Sequence, residues 1–220
     1  DLLTFEELQG VSALTLKINS YAKLNNLKFK NIKNSIAPSI NLDNWATTEN
    51  VVFNDCEFSD ITNARCVCMK TNTNKNFVTT FYNCSFHDNK IDDENIGNGS
   101  CILCQNQANV EIRKCNFTQN TAVQNGGAIY AETNSIEIRQ SRFNQCCASY
   151  IKGKGGAVYL KQTTGEIPEF CSFNHFTDCD AGYSGGALFV FCIDEGEGGG
   201  FDAKMDNLEM TISYCNFTNC

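Results

Sequence analysis

The 25 carboxylates, 14 cysteines and two histidines of this 220-residue chain are its means for acid–base, nucleophilic or metal chemistry. Cleaving a polysaccharide takes a pair of carboxyls, or a calcium-bridged uronate beside a base, converging on one face. The acids fall instead into separated groups: Asp55, Glu57 and Asp60; Asp88, Asp92, Asp93 and Glu94; Asp194, Glu195, Glu197 and Asp202. Neither Asp92-Asp93-Glu94 nor the 194–202 segment has the ligand order of a calcium loop, so both read as solvated loop acids. His87 and His175 each stand beside a phenylalanine with no proton partner visible in the sequence, and read as surface histidines. Only Cys101-x-x-Cys104 has the spacing of a zinc-binding pair, and no histidine completes it. Gly196 to Gly200 lacks the lysine and following helix of a phosphate loop. The expectation is a protein without catalytic, metal-binding or cofactor-binding residues.

The elements that would position any such residues repeat. Val110-x-Ile112-x-x-Cys115-x-Phe117-x-x-Asn120 is followed closely by Gly126-Gly127-Ala128-Ile129-Tyr130, and copies recur at variable intervals. Aligned on one phenylalanine, they give Phe29, Phe58, Phe86, Phe117, Phe143, Phe176 and Phe217. Two residues earlier stand Leu27, Cys56, Cys84, Cys115, Ser141, Asn174 and Cys215; three later stand Ile32, Ile61, Asn89, Asn120, Cys146, Cys179 and Cys220. Small or apolar side chains dominate both columns. Upstream pairs such as Val51/Phe53, Val110/Ile112 and Ile136/Ile138 alternate with polar residues, the period of a strand with one buried face. Cys171-Ser172-Phe173 competes with Asn174-His175-Phe176 for the register of one copy, and a bulge would reconcile them.

The glycine phrase recurs at Gly155-Gly156-Ala157-Val158-Tyr159 and Gly185-Gly186-Ala187-Leu188-Phe189, with variants at residues 64–68 and 99–103. Paired glycines suit a tight turn or close backbone approach where the chain re-enters a strand. Short strands without helical periodicity between them wind into stacked parallel sheets at about 4.8 Å per rung. The predicted fold is all-β, a right-handed parallel β-helix, or solenoid. Residues 51–220 form its cysteine-rich repeats, and residues 1–50 a cap and first rungs continuous with them as one domain. In that cap Leu14-x-Leu16-x-Ile18 and residues 36–42 read as strands, and Thr4-Phe5-Glu6-Glu7 as a capping box opening a short helix.

The Phe-x-x-Asn phrase at residues 86–89 and 117–120, together with Gly-Gly-Ala-[Ile/Val/Leu], resembles the repeats of the chlamydial polymorphic outer-membrane protein family and similar repeats in secreted proteins of eukaryotic protists. The resemblance runs from about residue 50 onward. It implies a β-helical surface or secreted protein, in several cases adhesive.

Fourteen cysteines, all after residue 55, fit disulfides in an oxidising compartment better than a reduced cytosol. Stacked rungs would bring Cys84 to Cys56 or Cys115, Cys66 to Cys101, and Cys146 to Cys179, with Cys215 and Cys220 as further candidates. Glycosylation sequons begin at Asn83, Asn98, Asn116 and Asn216. Asn116 and Asn216 sit between an inward cysteine and an inward phenylalanine, so alternation points both outward. The net charge of −8 disfavours nucleic acid and anionic membranes as partners, and no apolar stretch is long enough to span a bilayer. The chain opens on Asp1-Leu2-Leu3-Thr4, without initiator Met or basic leader, and closes midway through a repeat, which reads as a processed or excised piece.

These readings converge on a non-catalytic extracellular or cell-surface glycoprotein of structural or adhesive role. Expected partners are a second copy stacked end to end as in a filament, and a surface glycan or protein ligand. The rival is a polysaccharide-binding or polysaccharide-degrading β-helix enzyme.

Overall fold

The computed structural model describes residues 3–10, 13–17, 21–33, 38–44, 50–71, 78–105, 109–133, 136–162, 171–192 and 212–220. The acidic segment 194–202, Trp45, Met210 and most of the 71–77 loop lie outside them. Within them the chain is a parallel β-solenoid of four stacked sheets.

Each rung contributes a short strand bearing the motif phenylalanine, and eight such strands, from Leu3–Glu6 to Asn216–Thr218, form one sheet. The strand before it, as in Asn109–Arg113 or Ile136–Arg139, belongs to a seven-stranded sheet. The strand after the glycine phrase, as in Ile129–Thr133 or Val158–Gln162, belongs to another. A fourth sheet of two-residue strands, Lys90–Ile91, Thr121–Ala122, Cys147–Ala148 and Asp180–Ala181, sits between the phenylalanine strand and the glycine phrase. Like residues pair with like: Phe58, Phe86, Phe117, Phe143, Phe176 and Phe217 are direct partners from one rung to the next.

That register stacks eight rings face to face, Phe5 through Phe217, with centroids 4.6–5.0 Å apart and planes within 2–7°. Phe29, Phe58, Phe86 and Phe117 are wholly buried. Ile, Val and Leu at the inward positions of the two longer sheets fill the remaining interior, including Val67, Ile102, Ile129 and Val158. Offset stacking adds to the burial of each ring, so the column is both the core and the register key.

Two expectations change. Thr4-Phe5-Glu6-Glu7 is not a helix start: Leu3–Glu6 is a strand paired with Leu27–Lys30. Phe5 stacks on Phe29, and ring burial outweighs a local capping pattern. The register at residues 171–176 needs no bulge, because Phe176 takes the ladder position while Phe173 turns outward at φ 56° and stacks on Tyr214. Leu14–Lys17 and Ile40–Asn44 are strands paired to each other; the second begins after Pro38 and Ser39, and Ile18 and Ile36 lie outside the described residues.

Candidate functional site

The phenylalanine strand is bounded on both sides by a residue in the left-handed region. Before it come Asn26, Asp55, Asn83, Lys114, Gln140, Phe173 and Tyr214; after it come Glu7, Asn31, Asp60, Asp88, Gln119, Gln145, Asp178 and Asn219. Asn and Asp tolerate that conformation best, which accounts for much of both sets. Such a corner turns the next backbone N–H into the solenoid, away from the sheet ladder, and a buried N–H without an acceptor is costly.

The two columns flanking the phenylalanine supply the acceptors. Asn89 and Asn120 are fully buried. The Asn120 Oδ1 accepts from the Asn89 N–H at 3.2 Å and its Nδ2 donates to the Phe86 carbonyl at 2.9 Å. Asn89 repeats the pattern one rung earlier, accepting from Ile61 N–H and donating to the Phe58 carbonyl. On the other column the Asn174 Oδ1 accepts from Ser141 N–H at 2.7 Å, Ser141 Oγ accepts from Cys115 N–H at 3.1 Å, and Cys115 Sγ accepts from Cys84 N–H at 3.4 Å. The cysteines also donate as the asparagines do: Cys84 to Phe53 O, Cys115 to Phe81 O, Cys146 to Phe117 O and Cys179 to Phe143 O, at 3.5–3.7 Å. Leu27, Ile32 and Ile61 keep these columns apolar on the first rungs, and the later rungs fill them with small side chains that can donate and accept.

This bears on the cysteine reading. Thirteen cysteines among the described residues carry thiols rather than disulfides. Register stacks Cys56, Cys84 and Cys115 on successive rungs, as it does Cys66 with Cys101, and Cys146 with Cys179 and Cys220. Cys215 lies with its sulfur 3.5 Å from that of Cys171, a neighbour the sequence reading passed over. Burial pushes the Cys66 and Cys146 thiols far up and Cys104 to about 12, so they stay protonated and slow to exchange. As thiols they cap corners, so cysteine content alone does not demand an oxidising compartment.

The sequon asparagines divide by environment. Asn116 and Asn216 are exposed on the outer face of the phenylalanine sheet. Asn83 is an exposed corner residue whose amide donates to Asp55 at 2.5 Å. Asn98 is held differently: its Oδ1 accepts from both the N–H and the side-chain amide of Asn125, each at 3.1 Å.

On that outer face His87 gains one partner beside it in sequence and one a whole rung away. Its Nδ1 is 2.9 Å from Asp88 and its Nε2 3.4 Å from Glu57, which also pairs with Lys28 at 2.9 Å. Burial pushes the Glu57 carboxyl up, but Lys28 and then His87 outweigh it and hold it below the usual range. Asp93 caps the 3-10 turn Glu94–Ile96, and Asp92 pairs with Lys90. No cluster of three or more metal-ligating side chains occurs among the described residues.

The outer face of the glycine-phrase sheet carries the feature that sequence reasoning missed. Tyr130, Tyr159 and Phe189 stack outward, 5.0 and 5.3 Å apart, on the same rungs whose inward residues are Ile129, Val158 and Leu188. Burial, then Glu132, raises the Tyr130 hydroxyl, and burial raises that of Tyr159, so both remain donors at neutral pH. Beside them Asn125, Lys152, Lys154, Tyr159 and Tyr183 line an open hollow of about 470 Å³. The alternating phrase Ala-Ile-Tyr / Ala-Val-Tyr / Ala-Leu-Phe was the available signal.

Fold and columns together define a parallel β-solenoid whose corners are capped from inside by Asn, Ser and Cys. Comparison with protein-family profiles, curated proteins and solved structures finds no match for this chain.

Proposed function

We propose that this protein is a non-catalytic extracellular or cell-surface β-solenoid with a structural or adhesive role, glycosylated on its outer faces. The observation that carries the reading is the unbroken eight-ring phenylalanine column, with corners of its later rungs capped from within. Such a stack uses its buried Asn, Ser and Cys side chains to hold rungs together, which makes a stiff rod with long lateral faces. Exposed Asn116 and Asn216 on one face, and the resemblance of the Phe-x-x-Asn and Gly-Gly-Ala phrases to surface and secreted repeats, support the extracellular placement.

The direct test is antibody staining of the source cells before and after permeabilisation. Staining of intact cells is expected; staining that appears only after permeabilisation overturns the placement.

End-to-end association is a second reading. The ladder pairs like residues in one parallel register rung after rung, a pairing that a rung of a second copy would also meet. Negative-stain electron microscopy of the non-reduced protein over a concentration series separates the cases: regular fibres support a filament subunit, and discrete short rods at every concentration refute it.

A further inference from the structure

The hollow on the glycine-phrase face differs from the rest of the surface. This chain carries a net charge of −8, yet Lys152 and Lys154 line one depression together, and neither makes an ion pair among the described residues. Lys154 is held in place: its backbone N–H donates to Asn125 Oδ1 at 3.2 Å and its carbonyl accepts from Gly126 N–H at 2.9 Å. Its ammonium lies 4.8 Å from the Phe189 ring centroid and 5.6 Å from that of Tyr183. Two aromatic faces thus position a charge that pairs with no carboxylate among the described residues.

We propose that this hollow binds one acidic sugar residue of a polysaccharide. Lys152 and Lys154 take its carboxylate or sulfate, and the exposed Tyr183 ring takes the C–H face of the sugar. The volume of about 470 Å³ falls in the range of roughly 300–1,000 Å³ common for small-ligand sites. Tyr159 and Asn125 place a hydroxyl and an amide on the wall, suited to sugar hydroxyls. The Tyr130–Tyr159–Phe189 ladder cannot serve as the stacking platform, because its rings cover one another's faces at 2° and 13°. Tyr183, 69% exposed, is the ring at the hollow with area to offer. One sugar ring is therefore engaged, rather than an extended run. A bare inorganic anion would leave Tyr183 unused, and a nucleic acid would meet the overall negative field.

The inference rests on the adhesive arm of the proposed function, and the experiment separates the two. The full chain is titrated calorimetrically at low salt with a galacturonic acid trisaccharide, a sulfated galactose trisaccharide, the uncharged galactose trisaccharide and inorganic sulfate. At least one acidic trisaccharide is expected to bind, and more weakly as salt rises. The double variant Lys152→Gln with Lys154→Gln should weaken it about tenfold or more, and Tyr183→Ala about three- to tenfold without changing the response to sulfate. Thermal unfolding of each variant serves as the fold control, since all three side chains lie at the surface. Binding that survives every variant keeps adhesion and sinks this site. Equal binding of the uncharged trisaccharide, or of sulfate as tightly as the saccharide, overturns the ligand class. No binding of either acidic trisaccharide overturns the inference, while the structural arm stands on the cell-staining result.

Discussion

Asn120 sits where the corner argument can be weighed. Replacing it with leucine keeps its approximate volume but removes the acceptor for Asn89 N–H, the partner of the Asn89 side-chain amide and the donor to Phe86 O. The Asn89 amide retains its bond to the Phe58 carbonyl, so the main loss is one orphaned buried N–H. That costs about 1–3 kcal/mol, and the weakened side-chain bonds add about 0.5–1 kcal/mol. Burying leucine in place of an amide returns some of this, leaving a net loss of about 2–3 kcal/mol. Asn120→Cys should cost about 1 kcal/mol or less, since Cys146 in the same column donates to Phe117 O, and Cys115 in the other column both accepts from Cys84 N–H and donates to Phe81 O. Because solenoid rungs open semi-independently, a global unfolding curve blurs the effect, and native-state hydrogen exchange is the better assay. The reporters are Lys90 and Thr121, whose N–H groups keep their own acceptors, Ile61 O and Asn89 O. With leucine they should exchange about 30- to 150-fold faster than wild type, and with cysteine less than about tenfold faster. If leucine and cysteine variants exchange alike, the columns do not work by capping corners and the reasoning fails.

Three further predictions concern close packing, thiols and glycans. A Cβ added at Gly127 would overlap the Gly156 carbonyl oxygen and the Cys147 backbone, so Gly127→Ala should lower stability by about 1–3 kcal/mol or more, read as an earlier urea midpoint. The folded state holds the Cys66, Cys84, Cys104 and Cys146 thiol protons more tightly than an unfolded chain does. Reduced protein should therefore keep this stability below about pH 8.5 and lose about 1.4 kcal/mol per pH unit for each such thiol above it. Denaturation at stepped alkaline pH checks this; a flat profile under reductant contradicts it, while an oxidised sample with bridged cysteines should lack the alkaline fall. After passage through a eukaryotic secretory pathway, glycopeptide mass spectrometry should find glycans at Asn116 and Asn216 and none at Asn98, whose side chain is tied to Asn125; an occupied Asn98 contradicts the assignment.

The stacked phenylalanines and the glycine phrase were legible because core positions restrict residue type at every turn, and a column repeats wherever the fold does. What alignment could not show is why Asn, Ser and Cys share a column. That follows from orphaned N–H groups at left-handed corners, which appear only once backbone angles are known. The ambiguity between Phe173 and Phe176 had the same root: Asn174 belongs in the capping column, where it accepts from Ser141, and this fixes the ladder on Phe176. Outward neighbours were the least legible. His87 meets Glu57, and Lys154 meets Tyr183, across about one repeat of sequence, and solvent-facing positions carry no residue constraint that would reveal such pairs. The capping-box pattern at Thr4 shows the converse, a local signal overruled because Phe5 completes a long-range stack.

The central claim, a scaffold that holds rather than transforms its ligand, is met most directly by incubating the immobilised full chain with a panel of acidic and neutral polysaccharides. Retained polymer and newly released reducing ends are measured in the same samples. The account predicts retention of acidic polymer with no new ends above a protein-free control; time-dependent release of ends would contradict it and make this solenoid an enzyme.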